Sequence, residues 1–183
     1  MDEILWAVNP RKDTLRDFAA YVCIYAQKFL NPTAIECRLD VDPEISSAAF
    51  DLPLRRTLFM AIKESLNNAV KYSQATELLL KIQCQNQQLA VLVQDNGKGF
   101  DPAKVNPERN GLTNMAQRMT EVGGHCLVTS QPGKGCRIEF VIPLKARQAW
   151  PRIWNAHRFL KPAQDPRNGR TIELSQNHDP TKF

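Results

Sequence analysis

Residues 95–100 read Asp-Asn-Gly-Lys-Gly-Phe and directly follow the apolar stretch Leu-Ala-Val-Leu-Val-Gln at residues 89–94. Two glycines so close together let a backbone turn sharply and approach a ligand. Asp95 stands at the end of the predicted strand, where its carboxylate is a fixed acceptor suited to an exocyclic amine. The same stretch is also typical of an ordinary Asn-Gly turn, so its meaning depends on the rest of the chain.

The strongest helical pattern lies upstream, over residues 53–72. Glu64 and Asn68 are one helical turn apart, and Lys71 follows them on the same face. Two interpretations of this face remain open. One is a solvated surface; the other is a metal–phosphate site, in which a carboxylate orients a hydroxyl, an amide oxygen ligates Mg²⁺ and an ammonium meets phosphate.

Two more glycine-containing stretches lie downstream. Asn110-Gly111-Leu112 precedes a helix predicted over residues 112–122. Backbone N–H groups at such a helix start are either capped locally or free to bind phosphate. Pro-Gly-Lys-Gly at residues 132–135 is typical of a hairpin turn.

The remaining pattern predicts an α+β sandwich. The first helix is expected at residues 13–30, where Asp13 or Thr14 can cap it. Strands grouped as hairpins between helices favour this class over a doubly wound parallel sheet. The predicted strands cover residues 35–41, 77–84, 89–94, 126–130 and 136–142.

Charge and cysteine usage narrow the function classes. Residues 1–144 carry 16 basic and 16 acidic side chains, whereas residues 145–183 carry 8 basic and 3 acidic ones. The body is therefore neutral, which does not favour nucleic acid as a partner. The five cysteines form no C-x-x-C pair, which indicates reduced thiols rather than a disulfide framework or a zinc site. No apolar run is long enough to span a membrane, and no signal peptide is visible at the N-terminus.

The four motifs, in this order and spacing, resemble the ATP-binding site of the Bergerat (GHKL) fold of DNA gyrase, MutL, heat-shock chaperones and histidine kinases. The resemblance covers roughly residues 13–144 and implies a two-layer sandwich: a mixed, mainly antiparallel sheet packed against helices. Residues 64–72 resemble the N box, residues 95–100 the G1 box, residues 110–115 the G2 box, and residues 133–144 the terminal G-x-G-T strand.

The wording of the boxes is similar to that of sensor histidine kinases of the nitrate-sensor (NarX/DesK-like) type. That resemblance implies that Glu64 acts as base or orients the attacking group, and that Asn68 ligates an Mg²⁺ bridging the ATP phosphates. It implies that Asp95 accepts a hydrogen bond from the adenine amine. The other implied nucleotide-binding residues are Lys71 and Tyr72 near phosphate or ribose, Gly97 and Gly99 beside the base, and Gly111 and Leu112 at the lid.

This sequence departs from the family pattern at three places. Arg109 stands where the G2 box usually has a glycine, and Cys136 stands where the terminal strand has threonine. A thiol donates hydrogen bonds poorly, so the contact to adenine is expected to be weaker. No histidine stands where the family has its phosphoacceptor, because His125 begins a strand while His157 and His178 lie in the tail.

The sequence thus predicts three regions. Residues 1–12 resemble the end of a dimerisation and phosphoacceptor helix, residues 13–144 form the ATP-binding domain, and residues 145–183 form a basic, proline-containing tail that is mostly disordered. Within the tail, Trp150, Trp154 and Phe159 have spacings that allow a short helix docked on the body.

The resemblance implies a cytoplasmic transferase that uses ATP and Mg²⁺. It would pass the γ-phosphoryl group to a histidine outside this chain, so the chain alone is not expected to phosphorylate itself. The implied partners are a phosphoacceptor domain and a response regulator, and a longer parent protein could be anchored in a membrane. Two alternatives stay open: a non-catalytic nucleotide-binding or interaction module, and an anti-sigma-factor-type serine kinase of the same fold.

Overall fold

The computed structural model describes residues 14–45, 49–104, 111–144 and 170–173. Three helices and a six-stranded sheet make up this part of the chain. The helices are α1 (Leu15–Leu30), α2 (Leu52–Asn68) and α3 (Gly111–Glu121), and the strands are β1 (Glu36–Val41), β2 (Glu77–Gln85), β3 (Gln88–Asp95), β4 (His125–Ser130), β5 (Cys136–Pro143) and β6 (Arg170–Glu173).

The helix starts follow from local chemistry. Thr14, one of the two predicted caps, accepts a hydrogen bond from the Asp17 N–H at 3.1 Å and closes the first turn of α1. Proline occupies the first turn of α2, where its missing N–H leaves no helical bond unmade. At its far end α2 continues into a π-helical turn, Ala69–Ser73, which the periodicity does not predict.

The sheet has the order β1-β2-β3-β5-β4-β6. Only β1 and β2 pair in parallel, because α2 crosses between them; every other pair is antiparallel. The prediction of a mixed, mainly antiparallel sheet packed against helices is confirmed. The β2–β3 hairpin turns through Asn86 and Gln87, whose φ angles of 50° and 61° suit the right-handed twist of paired strands.

One face of the sheet forms the hydrophobic core with the helices. Alternate residues of the strands point to this face, as the period of two in a strand requires. Phe18, Phe59 and Phe140 are the largest side chains that are fully buried there. The core fixes α2 and α3 against the sheet and so places the end of β3 and the start of β5 beside the last turns of α2.

The structure adds one strand that the sequence pattern does not reveal. Residues 170–173, part of the tail expected to be mostly disordered, pair with β4 as β6. Their four residues are too short to show a strand periodicity. The predicted helix remnant at residues 1–12 and the rest of the tail lie outside the described residues, so these expectations stay predictions.

Candidate functional site

A cavity of about 370 Å³ opens between α2, α3, the end of β3 and the start of β5. It brings together residues that are distant in sequence but were predicted as one site. Seven of the nine predicted site residues line it: Glu64, Asn68, Tyr72, Asp95, Gly99, Gly111 and Leu112.

The π-helical turn decides which residues of the N-box helix face the cavity. In a π-helix each turn needs one residue more than in an α-helix. Tyr72 and Ser73 therefore follow Asn68 around the cavity wall, whereas Lys71 is exposed and does not line it. The α-helical spacing that groups Lys71 with Glu64 and Asn68 does not hold beyond Asn68.

Ser73 holds this turn closed. Its hydroxyl donates to the Ala69 carbonyl at 2.6 Å and accepts from the Ala75 N–H at 3.0 Å. Its own carbonyl oxygen accepts the Lys98 N–H at 2.7 Å, which ties the end of α2 to the loop after β3. Ser73 lines the cavity, but the sequence pattern gives it no role, because its hydroxyl finds these partners only in the folded chain.

Asp95 lies at the floor of the cavity and is 8% exposed. Its carboxylate accepts the Gly97 N–H at 2.9 Å. Burial raises the pKa of Asp95, and hydrogen bonds from the backbone N–H groups of Gly97 and Cys136 oppose that rise. The carboxylate is thus held in one orientation, with its remaining acceptor capacity facing the cavity.

The two G1-box glycines are required by space. A Cβ on Gly97 would overlap the Ser73 carbonyl, and one on Gly99 would overlap the Gln131 carbonyl. Gly99 also has a φ of +58°, a conformation that L residues rarely adopt. Gly97 does not itself line the cavity; it lets the loop pass close to α2, while Gly99 forms part of the wall.

The G1-box asparagine has a structural role. The Asn96 side chain accepts the N–H groups of Thr76 and Glu77, each at 3.0 Å, and donates to the Thr76 hydroxyl at 3.0 Å. It thereby fixes the loop after β3 to the start of β2.

The opposite end of the cavity is formed by α2 and the start of α3. Glu64 and Asn68 are half-buried on α2. A Cβ on Gly111 would overlap the Glu64 carboxylate, so this glycine lets the start of α3 come close to Glu64. Arg109 and Asn110 lie outside the described residues, so the departure at Arg109 is not tested.

Cys136 lines the cavity beside Asp95, its cross-strand partner. Burial, and secondarily the Asp95 charge, raise the pKa of the Cys136 thiol to about 12, so it is a neutral thiol at physiological pH. Sequence reasoning identified Cys136 as a departure but missed Ser65, Ala69, Ser73 and Ile138 as wall residues. Ile138 could have been found, because it follows Cys136 on the same face of β5.

Within the described ranges, no helix is both long and apolar enough to cross a membrane.

Residues of all four predicted boxes line one cavity, and the G2 box contributes Gly111 and Leu112 to it.

About half of this chain is similar in sequence to sensor kinases. The chain is 34% identical over 106 residues to the sensor histidine kinase LiaS of Bacillus subtilis, a match that covers 58% of this chain and 29% of LiaS. It is 32% identical over 101 residues to the sensor protein VraS of Staphylococcus epidermidis, covering 54% of this chain and 29% of VraS. The chain thus spans less than a third of the length of these relatives.

Solved structures share the fold. The histidine kinase domain of the blue-light activated histidine kinase from Erythrobacter litoralis EL346 superposes with a TM-score of 0.59 at 21% identity, covering 69% of this chain and 61% of that one. The Acinetobacter baumannii histidine kinase AdeS gives 0.59 at 17% identity, covering 73% and 66%.

The family match includes the cavity. Residues 54–146 match the family described as histidine kinase-, DNA gyrase B-, and HSP90-like ATPase. This stretch contains all nine predicted site residues and α2, β2, β3, α3, β4 and β5. The chain belongs to this ATPase family and carries an ATP-binding domain of the kind found in sensor histidine kinases.

Proposed function

We propose that this domain is the catalytic part of a two-component sensor histidine kinase and transfers the ATP γ-phosphoryl group to a histidine outside this chain. The observation that carries the proposal is the cavity itself. Its wall holds the buried, backbone-oriented carboxylate of Asp95 together with the half-buried Glu64 carboxylate and Asn68 amide. A nucleotide needs one group that recognises the base and another that handles the phosphates, and this cavity offers both kinds of group.

At the base end, Asp95 would accept the hydrogen bond of the adenine amine. Guanine presents a carbonyl oxygen at that position, and an ionised carboxylate would repel it. This gives a physical basis for selecting ATP over GTP. The Cys136 thiol beside Asp95 is a weak donor and adds little to this recognition.

At the phosphate end, the donor set fits Mg²⁺. Magnesium in nucleotide sites takes one or two protein oxygens and completes its shell with phosphate and water. Asn68 offers an amide oxygen on the cavity wall. The ion would neutralise charge on the phosphates.

Glu64 would act on the incoming histidine. Its carboxylate lies one helical turn before Asn68 and next to Gly111. There it would accept the proton of the attacking imidazole, or orient that ring. In the transfer the imidazole nitrogen bonds to the γ-phosphorus as the bond to the bridging oxygen breaks, and ADP leaves.

The remaining predicted residues would contact the nucleotide less directly. Tyr72 lines the cavity and would cover the ribose or phosphates, and Leu112 would close the lid side. Lys71 is exposed outside the cavity, so it would reach phosphate only through a change in its side-chain conformation.

The partners follow from the reaction. A phosphoacceptor and dimerisation domain would bring the histidine, and a response regulator would receive the phosphoryl group. We accordingly propose a cytoplasmic location for the domain. The wording of the boxes supports the nitrate-sensor type within the sensor kinases.

Phosphotransfer in trans tests the proposal. The chain is mixed with a purified phosphoacceptor domain of a sensor histidine kinase and radiolabelled ATP·Mg²⁺. Label is expected on the acceptor and not on the chain alone. Asn68→Ala should reduce labelling by about 10- to 100-fold, the range typical for losing a group that positions a metal. The exposed Gln117→Ala, on α3 but outside the G2 box, serves as the control.

One observation favours a second candidate, a nucleotide-binding module without kinase activity. Cys136 replaces the stronger donor expected on the cavity wall. ATP binding by the chain, with no label on acceptor domains of several sensor kinases, would favour this module over the kinase.

A further inference from the structure

The sheet face that points away from the helices carries a second set of buried apolar side chains. Leu92 and Val141 are 3% and 2% exposed, and Ala90 and Leu127 are also buried. The register makes them neighbours, because Ala90 pairs with Val141 while Leu92 and Leu127 flank Glu139 on its two sides. None of the four apolar residues belongs to the core beneath the helices. We call these four residues the outer patch.

Polar groups beside the outer patch are covered as well. The Glu139 side chain is 12% exposed, with its carboxylate 3.2 Å from the Arg137 guanidinium. The amide oxygen of Gln88, on the same face, is buried and finds no hydrogen-bond partner among the described residues. An antiparallel sheet face open to water would leave such polar ends solvated. Their burial indicates that chain lies over the outer patch.

The strands fix where the covering segment begins and ends. β5 and β6 both pair antiparallel with β4 and therefore run parallel to each other. Arg170 pairs with Ser130, which also pairs with Cys136 at the start of β5. Residues 145–169 must therefore return along the whole of β5, roughly 25 Å at about 3.3 Å per residue. Such a connection crosses one face of the sheet.

The helix-side face is already occupied at this point. Met115, Ala116 and Met119 of α3 pack into the core with Cys126 and Val128 of β4, the strand between β5 and β6. The outer face is the one left for a crossing. It is also the face on which the buried outer patch needs a cover.

The N-terminal residues are the competing occupant. They lead into α1, whose buried side chains belong to the helix-side core, and Thr14 bridges to Ala49 next to that core. The described part therefore begins, at Thr14, on the helix side of the sheet and away from the outer patch. Residues 145–169 carry the apolar side chains that a cover needs, among them Trp150, Trp154 and Phe159.

We infer that residues 145–169 dock on the outer patch and hold β6 against β4. The outer face is then an internal interface of this chain, closed to other proteins. The tail beyond the family match is, in this respect, part of the folded body. The inference does not depend on nucleotide binding or on phosphotransfer.

Tryptophan fluorescence tests the inference. The chain has three tryptophans, so a Trp6→Phe variant leaves only Trp150 and Trp154 as reporters. Their emission is expected to be blue-shifted and poorly quenched by acrylamide. Leu92→Lys should shift it to the red and raise the quenching constant at least about twofold, with the far-ultraviolet circular dichroism unchanged. Gln94→Lys, an exposed change two residues along the same face, should leave it unaltered.

A second variant covers the case in which Leu92→Lys does not fold. Trp154→Ala changes no residue of the sheet, so the sheet should form regardless. Its amide hydrogens at residues 170–173 should exchange at least about 10-fold faster. Water-exposed emission in the Trp6→Phe protein, or an unchanged exchange rate in Trp154→Ala, would overturn the inference. The Trp150→Phe/Trp154→Phe double variant leaves Trp6 as the one tryptophan. A red shift of its emission on adding Leu92→Lys would place the N-terminal residues on the outer patch and would also overturn the inference.

Discussion

Asp95 is buried at the cavity floor, where two backbone N–H groups hold its carboxylate. The proposed contact with the adenine amine needs this group ionised, because a carboxylate accepts from an amine more strongly than a protonated acid does. Burial nevertheless raises its pKa. Asp95 is ionised only above that raised pKa, so ATP binding should weaken in mild acid.

ATP affinity should therefore fall as the pH drops through the raised pKa of Asp95, starting at a higher pH than an ordinary aspartate would give. The free energy of unfolding should change in the opposite direction and rise as the pH falls. The reason is that Asp95, whose pKa is raised in the folded state, binds its proton more tightly there than in the unfolded chain. Calorimetric titrations at a series of pH values measure the effect, with circular dichroism confirming the fold at each. Affinity that stays constant until ordinary aspartates titrate would contradict this assignment.

Gly97 is the second position at which a single residue decides the geometry. A Cβ there would overlap the Ser73 carbonyl and break the 2.7 Å bond from the Lys98 N–H. Gly97→Ala should cost about 1–3 kcal/mol in the free energy of unfolding, or a fall of roughly 2–12 °C in Tm, and should weaken ATP binding. Gln117→Ala, an exposed change on α3, is the control. Equal losses in both variants would show that space at Gly97 is not the cause.

At the scale of elements, the sequence predicts most of the frame and misses the π-helical turn. Apolar spacing and Thr14 are sufficient to predict α1, and two apolar stretches on either side of the polar residues 85–88 are sufficient to predict β2 and β3. The turn at Ala69–Ser73 depends on a contact with the loop after β3, which no local pattern contains. Local patterns therefore predict Glu64, Asn68 and Asp95, which line the cavity. Without the π-helical turn they miss Ser73 and wrongly group Lys71 with the residues of the cavity wall.

Ser73 should matter to the whole turn. Ser73→Ala removes the acceptor of the Ala75 N–H and leaves a buried donor without its partner, which costs about 1–3 kcal/mol. Thermal unfolding should show a Tm lower by roughly 2–12 °C. Thr120→Ala on α3 removes a hydroxyl with the same bond to a helical carbonyl at an exposed position, and should change Tm by about 2 °C or less. A Ser73→Ala protein as stable as Thr120→Ala would count against this role.

The β2–β3 hairpin offers a change in the opposite direction. Gln87 has a φ of 61°, which costs a side-chain-bearing residue but not glycine. Gln87→Gly should raise the free energy of unfolding by about 0.5–1 kcal/mol, measured by urea titration. Gln85→Gly, at the end of β2, should instead lower it, because glycine weakens a strand. Destabilisation by both variants would mean that the turn is not strained.

At the scale of the whole molecule, the domain and its tail differ in how far sequence alone explains them. The four boxes identify the family because each needs a particular side chain or glycine at a fixed place on the cavity. β6 has no such requirement, since its position is set by pairing with β4. The tail is therefore visible in the sequence only as composition and a few aromatic residues.

The central claim is that this chain binds ATP in a site where Asp95 recognises the adenine base. A calorimetric titration of the full chain with ATP·Mg²⁺ and with GTP·Mg²⁺, repeated on Asp95→Asn, tests it most directly. We expect ATP to bind, GTP to bind at least about 10-fold more weakly, and Asp95→Asn to lose about 10- to 150-fold in ATP affinity, as loss of a charged hydrogen bond implies. No ATP binding by the folded wild-type chain, or equal binding of ATP and GTP, would contradict the account.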